Sequence, residues 1–143
     1  MEQRTRRTRQ GGFTLVEILI VVFIIGLLAA LVGPQLFKRV GGAKQKMART
    51  QIEVLGTALD TYRLDIGQYP TSEQGLAALV TQPGDVPNWD GPYLRKDVPK
   101  DPWGNDYIYN SPGEHGEYDL LSLGADRAEG GEGENGDVVS WEN

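Results

Sequence analysis

An apolar run near the N-terminus places the strongest constraint on this chain. Residues Ile18 to Val32 are all hydrophobic except Gly26. In a helix, Phe13 to Leu36 would extend roughly 36 Å at about 1.5 Å per residue, enough to cross a hydrocarbon core of roughly 30 Å. The run therefore predicts a helix that spans a membrane.

Glu17 lies about one helical turn inside this predicted span, where an unpaired carboxylate costs at least a few kcal/mol. No Lys, Arg or His occurs between Phe13 and Phe37, so the partner must come from another chain or from processing. Cleavage between Gly12 and Phe13 would create an α-amine, with a reference pKa of about 8, four residues before Glu17. That amine could meet Glu17 of the same subunit or of a neighbour.

The segment before the span is basic. Residues 1–12 contain four arginines and one glutamate, and basic flanks stay on the cytoplasmic side, so we expect the C-terminal part to be exported. Removing this charge of +3 from the formal −6 leaves −9. Such a balance argues against nucleic acid as a partner and is compatible with cations. The chain has no cysteine, so packing or another device must hold its loops.

A helical pattern resumes after Pro34, where we expect a bend and not an end. The helix should run to about Ile66, because Gly67 suits a C-terminal cap and Pro70 prevents continuation. One stripe recurs at steps of four and three residues and should pack on a domain: Ala48, Ile52, Leu55, Leu59, Tyr62 and Ile66.

The downstream pattern predicts a short helix and then strands. Thr71–Gln74 has the form of an N-cap for a short second helix. Alternation with period two predicts strands within residues 106–110, 117–123 and 138–141, and Ser111–Gly116 suits a hairpin connection. A small antiparallel sheet packed on the long helix makes an α+β domain.

Residues 126–137 form an acidic, glycine-rich segment. Carboxylate and carbonyl oxygens suit calcium, and glycines permit tight turns. The segment has the length of an EF-hand loop, but Ala128 and Gly130 stand where that motif needs oxygen-bearing side chains. Composition alone favours a solvated acidic loop.

Five segments carry a resemblance to a known family. After the basic leader, Gly11–Glu17 (GGFTLVE) resembles the class III signal of type IV pilins and type II secretion pseudopilins. The matching segments further along are Tyr69–Leu76, Asp101–Gly104, Pro112–Gly116 and Ser122–Asp126. With these, nearly the whole chain resembles the major pseudopilin of type II secretion systems. The missing cysteine pair agrees, since many type IVa major pilins have a C-terminal disulfide.

The resemblance implies processing and three regions. A prepilin peptidase would cut after Gly12, remove the leader of residues 1–12 and methylate the new amine of Phe13. Residues 13–36 would form the transmembrane and assembly half of the helix. Residues 37–143 would form a periplasmic domain with the type IV pilin-like fold.

The resemblance also implies a structural subunit and not an enzyme. It would cross the inner membrane once and then polymerise helically with its own copies into a periplasmic filament that drives export of folded exoproteins. Head-to-tail contacts make such open polymers. Glu17 and Phe13 would set the register, with Pro34 also in the assembly region. Minor pseudopilins and the inner-membrane assembly platform are further implied partners.

A structural calcium ion in the acidic segment is implied by the same resemblance. Asp126 and Asp137 would contribute side chains and Leu123 a backbone carbonyl. Glu134, Asn135 or water would complete the shell. The ion would take the place of a disulfide in holding the C-terminal end.

Two other functions remain open. One is the major subunit of a surface type IV pilus, and the other is an anchored periplasmic calcium-binding adaptor that does not polymerise. Catalysis has no support, because the only histidine, His115, lies in a Gly/Pro turn and is expected at the surface. Lys44, Lys46 and Arg49 are expected on a solvated helix face or in bridges between subunits.

Overall fold

The structure is a computed structural model that describes residues 11–142, so residues 1–10 of the expected leader lie outside it. Its elements are helix α1 (Leu15–Ile66), strands β1 (Ile108–Asn110), β2 (Asp119–Ser122) and β3 (Val138–Val139), and 3-10 turns at Leu76–Leu79 and Gly133–Asn135. The chain divides into two compact units, Met1–Phe37 and Lys38–Asn143, which are described separately.

In the first unit, the described backbone is mainly the N-terminal part of α1. Its large apolar side chains are exposed, from Leu15 to Phe37. By length and composition, α1 could cross a membrane. Pro34 lies inside the helix, which does not end there. The predicted continuation past the proline is therefore confirmed.

In the second unit, α1 supplies one wall of the core. Ala48, Leu55, Leu59 and Tyr62 are buried, as the spacing of the apolar residues predicts. The helix ends because Gly67 adopts a positive φ of 92°, which glycine accepts without steric cost.

The second predicted helix is only the 3-10 turn Leu76–Leu79. The predicted cap is present just before it, since Gln74 N donates to Thr71 Oγ1 (3.2 Å) and Thr71 N to Gln74 Oε1 (3.0 Å). Residues of the following segment donate hydrogen bonds to the carbonyl oxygens of the last two residues of the turn. Trp89 Nε1 donates to Ala78 O at 2.7 Å and Tyr93 N to Leu79 O at 2.7 Å. These contacts satisfy two carbonyl oxygens that would accept hydrogen bonds within the helix if the helix were longer.

The three strands form one antiparallel sheet in the order β1-β2-β3. Tyr109 pairs with Leu120, and both are buried together with Val138 on the side that joins the core. The strands are shorter than the predicted ranges. At the hairpin, Glu114 N and His115 N donate to the carboxylate of Asp119, so side-chain bonds replace ladder bonds there.

Candidate functional site

The expected cleavage site lies before α1. Gly12 and Phe13 are exposed and precede the first helical residue, Leu15. A peptidase needs an accessible bond outside regular structure, and this bond meets that requirement. The structure thus places the two residues of the predicted processing site where an enzyme could reach them.

Glu17 and Thr14 form a reciprocal cap on the first turn of α1. Glu17 N donates to Thr14 Oγ1 at 3.2 Å, and Thr14 N donates to Glu17 Oε2 at 3.5 Å. This arrangement is a capping box, whose pattern of Thr followed three residues later by Glu is readable in the sequence. The prediction that Glu17 needs a partner outside its own span missed this local contact. The cap partly satisfies the carboxylate but supplies no positive charge.

The acidic loop, defined here as residues 123–137, contains a carboxylate oxygen without a partner. Asp137 Oδ2 accepts a hydrogen bond from Gly130 N at 2.8 Å. Its Oδ1 is buried and has no hydrogen-bond donor within residues 11–142. A buried carboxylate oxygen without a donor is costly, so a cation or a water molecule is the natural complement.

The other predicted ligands lie around the same loop. Asp126 Oδ1 accepts a bond from Ala128 N at 3.1 Å. Glu134 and Asn135 lie in the 3-10 turn, and Glu134 Oε1 is 3.8 Å from Lys44 Nζ. Within residues 11–142, no three His, Cys, Asp or Glu side chains converge as a ready metal site. An ion here would therefore need backbone carbonyls or water besides Asp126 and Asp137.

The acidic loop packs against one face of α1. Gln45 Nε2 donates to Gly133 O at 2.6 Å and to Gly136 O at 2.8 Å. Gly41 is buried, and a Cβ at this position would lie 2.5 Å from Glu134 Cγ. Sequence reasoning did not identify these helix residues, because the contacts join positions about ninety residues apart and follow no local pattern.

His115 has structural contacts that its place in a turn did not indicate. Its ring stacks on Trp141 with centroids 3.9 Å apart, and Nδ1 lies 3.1 Å from Asp119 Oδ2. Burial raises the pKa of Asp119, but the bond to the His115 ring and those to two backbone N–H groups outweigh it, so the net pKa is below its usual value. The cluster ties the hairpin to the C-terminal segment.

The buried tyrosines also have structural contacts. Burial raises the pKa of Tyr109 to about 12, and its hydroxyl donates to Pro70 O at 2.8 Å. The Tyr107 hydroxyl donates to Gln51 Oε1 at 2.6 Å. Tyr107 thus joins the residue before β1 to α1, and Tyr109 joins β1 to the segment that follows α1.

Comparison with known proteins first defines a class. Residues 7–33 match the family profile of the prokaryotic N-terminal methylation motif. The motif contains the exposed Gly12–Phe13 bond and the apolar start of α1. The chain is thus one of the pilin-like proteins that carry this N-terminal processing motif.

A second match identifies the family. Residues 35–141 match the profile of type II secretion system (T2SS) protein G. The chain belongs to this family, and its type IV pilin-like fold of a long N-terminal helix and a small antiparallel sheet agrees with that membership.

Relatives extend the match over nearly the full chain. The type II secretion system core protein G of Pseudomonas aeruginosa is 48% identical over 141 residues, covering 96% of this chain and 99% of the relative. The protein of the same description from Vibrio cholerae is 49% identical over 136 residues, covering 93% of this chain and 92% of the relative. The crystal structure of the major pseudopilin from the type 2 secretion system of enterohaemorrhagic Escherichia coli has a TM-score of 0.62 at 37% identity, covering 76% of this chain and 95% of that one.

Proposed function

We propose that this protein is the major structural subunit of the periplasmic pseudopilus of a type II secretion system. Copies of the chain polymerise helically, and growth of the filament drives folded exoproteins across the outer membrane. Membership of the protein G family carries the proposal. It favours this role over a surface pilus.

The exposed apolar part of α1 supports polymerisation. In the first unit the large apolar side chains of α1 are open to their surroundings, so they need lipid or other helices. Before assembly the helix crosses the inner membrane once, with the domain of residues 37–143 in the periplasm. In the filament the same surface packs on α1 of neighbouring copies, and Glu17 pairs with the methylated amine of a neighbour's Phe13.

Processing and further partners follow from this role. A prepilin peptidase cleaves after Gly12, the inner-membrane platform adds subunits, and minor pseudopilins complete the fibre. The role is structural, and no catalytic residue is assigned.

Mass measurement of the mature N-terminus and electron microscopy test the proposal together. Native protein should begin at a methylated Phe13, and purified material should contain helical filaments. Retention of residues 1–12 in the functional protein would contradict the assembly proposal. A processed protein that never polymerises would instead support the anchored adaptor.

We also propose a structural calcium ion in the acidic loop, held by the carboxylates of Asp126 and Asp137 and the carbonyl of Leu123. The unpartnered Oδ1 of Asp137 supports this proposal, because a divalent cation would compensate its buried charge. Glu134 and Asn135 are less direct candidates, since Glu134 lies beside Lys44. The positive charge of the ion stabilises the loop and so replaces a disulfide in this role.

Thermal unfolding of the full-length protein in detergent, with calcium and with a chelator, tests the ion. Binding at a hundredfold excess over the dissociation constant stabilises by about 2.7 kcal/mol, so calcium should clearly raise the midpoint. Asp126→Ala and Asp137→Ala should abolish this rise. Glu132→Ala is the matched control, because that side chain is exposed in the same loop. Equal midpoints of the wild-type protein with calcium and with chelator would reject the site.

A further inference from the structure

We propose that Gln45 is a positioning residue that couples the acidic loop to α1, so that calcium binding and the order of the helix near residue 45 are linked. This inference rests on the proposed calcium site. It concerns a side chain on the helix, remote in sequence from the loop and outside the set of proposed ligands.

The amide of Gln45 holds the loop at two points. One NH₂ group carries two hydrogens and can donate both, here to Gly133 O at 2.6 Å and to Gly136 O at 2.8 Å. The two carbonyls lie on either side of Glu134 and Asn135, and the second immediately precedes Asp137 in the chain. The turn that leads into Asp137 is therefore fixed from the helix.

The oxygens around Gln45 differ in how many hydrogen bonds they already accept. Gly133 O accepts two bonds, from Gln45 Nε2 and from Gly136 N at 3.2 Å, whereas Gly136 O accepts one from Gln45 and Glu134 O accepts one from Ala125 N at 2.8 Å. The buried Oδ1 of Asp137 stays without a donor. Among these oxygens, Asp137 Oδ1 accepts no hydrogen bond from the described residues and is therefore the most open to an ion, and the turn that Gln45 holds leads directly into Asp137.

The face of α1 around Gln45 packs closely against the acidic loop. Gly41, Lys44 and Gln45 are spaced by three and four residues and so share one side of the helix. Lys44 Nζ lies 3.8 Å from Glu134 Oε1. At Gly41 the absence of a side chain lets Glu134 approach, because a Cβ there would lie 2.5 Å from Glu134 Cγ. The contact therefore combines hydrogen bonds, charge and close packing.

Linkage follows from this shared contact. If an ion stabilises the loop conformation that Gln45 holds, then the loop in turn stabilises the helix segment that carries Gln45. The coupling must be equal in both directions, so removing the amide should weaken calcium binding. Groups that hydrogen-bond directly to metal ligands typically change metal affinity by about 10–100-fold, and Gln45, which bonds to the residue before Asp137, should act near the lower end of that range.

Full-length protein in detergent allows a direct test with calcium chloride as the probe. Gln45→Met keeps the length of the side chain but has no N–H donor, and Gln45→Ala is a second variant that removes the side chain. Lys46→Ala is the control, since this exposed neighbour has no side-chain contact to the loop among the described residues. Calorimetry gives calcium affinity, and amide hydrogen exchange gives the order of residues 41–48 and 130–137.

In the wild-type protein and in Lys46→Ala, calcium should slow exchange in both segments. In both Gln45 variants, affinity should fall at least about tenfold, and calcium should no longer protect residues 41–48. Wild-type affinity with retained protection in Gln45→Met would overturn the role of Gln45 and leave the calcium site standing. Absence of calcium binding to the wild-type protein would overturn both.

Discussion

The hydroxyl of Ser122 donates a hydrogen bond to Oδ2 of Asp101 over 2.6 Å, and both residues are buried. The other oxygen of Asp101 accepts bonds from Trp103 N at 3.0 Å and Asn105 N at 2.8 Å. One carboxylate therefore joins the turn of residues 101–105 to strand β2. Because the chain has no cysteine and so no disulfide, this polar contact is one of the interactions that hold the two segments together.

Asp101→Ala should destabilise the domain by about 2–4 kcal/mol, because it leaves three donors without an acceptor in a buried place. Urea unfolding of the full-length protein in detergent measures the change. Asp106→Ala is the matched control. It removes an acidic side chain from an exposed pair with Lys100 and should cost less than about 1 kcal/mol. Equal losses in the two variants would contradict a special role for Asp101.

Asp119 should give the domain a dependence on pH in the acid range. Its pKa is below the usual value of about 3.9, because hydrogen bonds from His115 and from backbone N–H groups outweigh the effect of burial. A lowered pKa means that the stabilisation is present above pH 4 and is lost as the pH falls through the pKa of the folded state. Stability measured from pH 6 downward should therefore decrease below about pH 4.

Asp119→Asn tests this source of acid sensitivity. The variant should be less stable than the wild type at pH 6, and the difference should shrink as the pH falls, since the wild type loses the charge that the variant lacks. His115→Gln should reduce the same pH dependence in part. If the difference in unfolding free energy between the wild type and Asp119→Asn stayed constant down to pH 2, Asp119 would not be the source of the acid sensitivity.

Two substitutions of Glu17 separate helix capping from charge pairing. Gln at this position can still complete the capping box with Thr14, whereas Ala cannot. Neither carries a negative charge. If pairing with a neighbour's amine sets the register, both variants should insert in the membrane, be cleaved, and fail to form normal filaments. Filament yield by electron microscopy and cleavage by mass spectrometry are the measurements.

The outcome for Glu17→Gln is decisive. Normal filaments in this variant together with a defect in Glu17→Ala would show that capping suffices and that the charge is dispensable. Such a result would contradict the proposed pairing with Phe13.

Gly41→Ala and Gly42→Ala should have different effects although the residues are neighbours in α1. Gly42 has no heavy atom within 4 Å of an added Cβ, so alanine should stabilise the helix by about 0.5–1 kcal/mol. At Gly41 the same gain is opposed by a clash with Glu134. Thermal midpoints should rank Gly42→Ala above Gly41→Ala. The reverse order would contradict the packing of the acidic loop on α1.

Local pattern was sufficient for the main elements of the fold. The steps of three and four residues identified the buried stripe Ala48–Tyr62, and Gly67 marked the end of α1. These features depend on residues close together in sequence, where helical geometry relates spacing directly to position. Strand positions were also predicted, but with ranges too long, because side chains such as Asp119 end the ladder early.

The amino-acid sequence also marked the processing site and the acidic loop, since both are short and have distinctive composition. It did not show that Gln45 holds Gly133 and Gly136, nor that His115 stacks on Trp141. Such contacts join residues far apart in the chain, so no local sequence pattern predicts them. They depend on how the packed core brings α1, the hairpin and the C-terminal segment to the same place, so they exist only once the chain has folded.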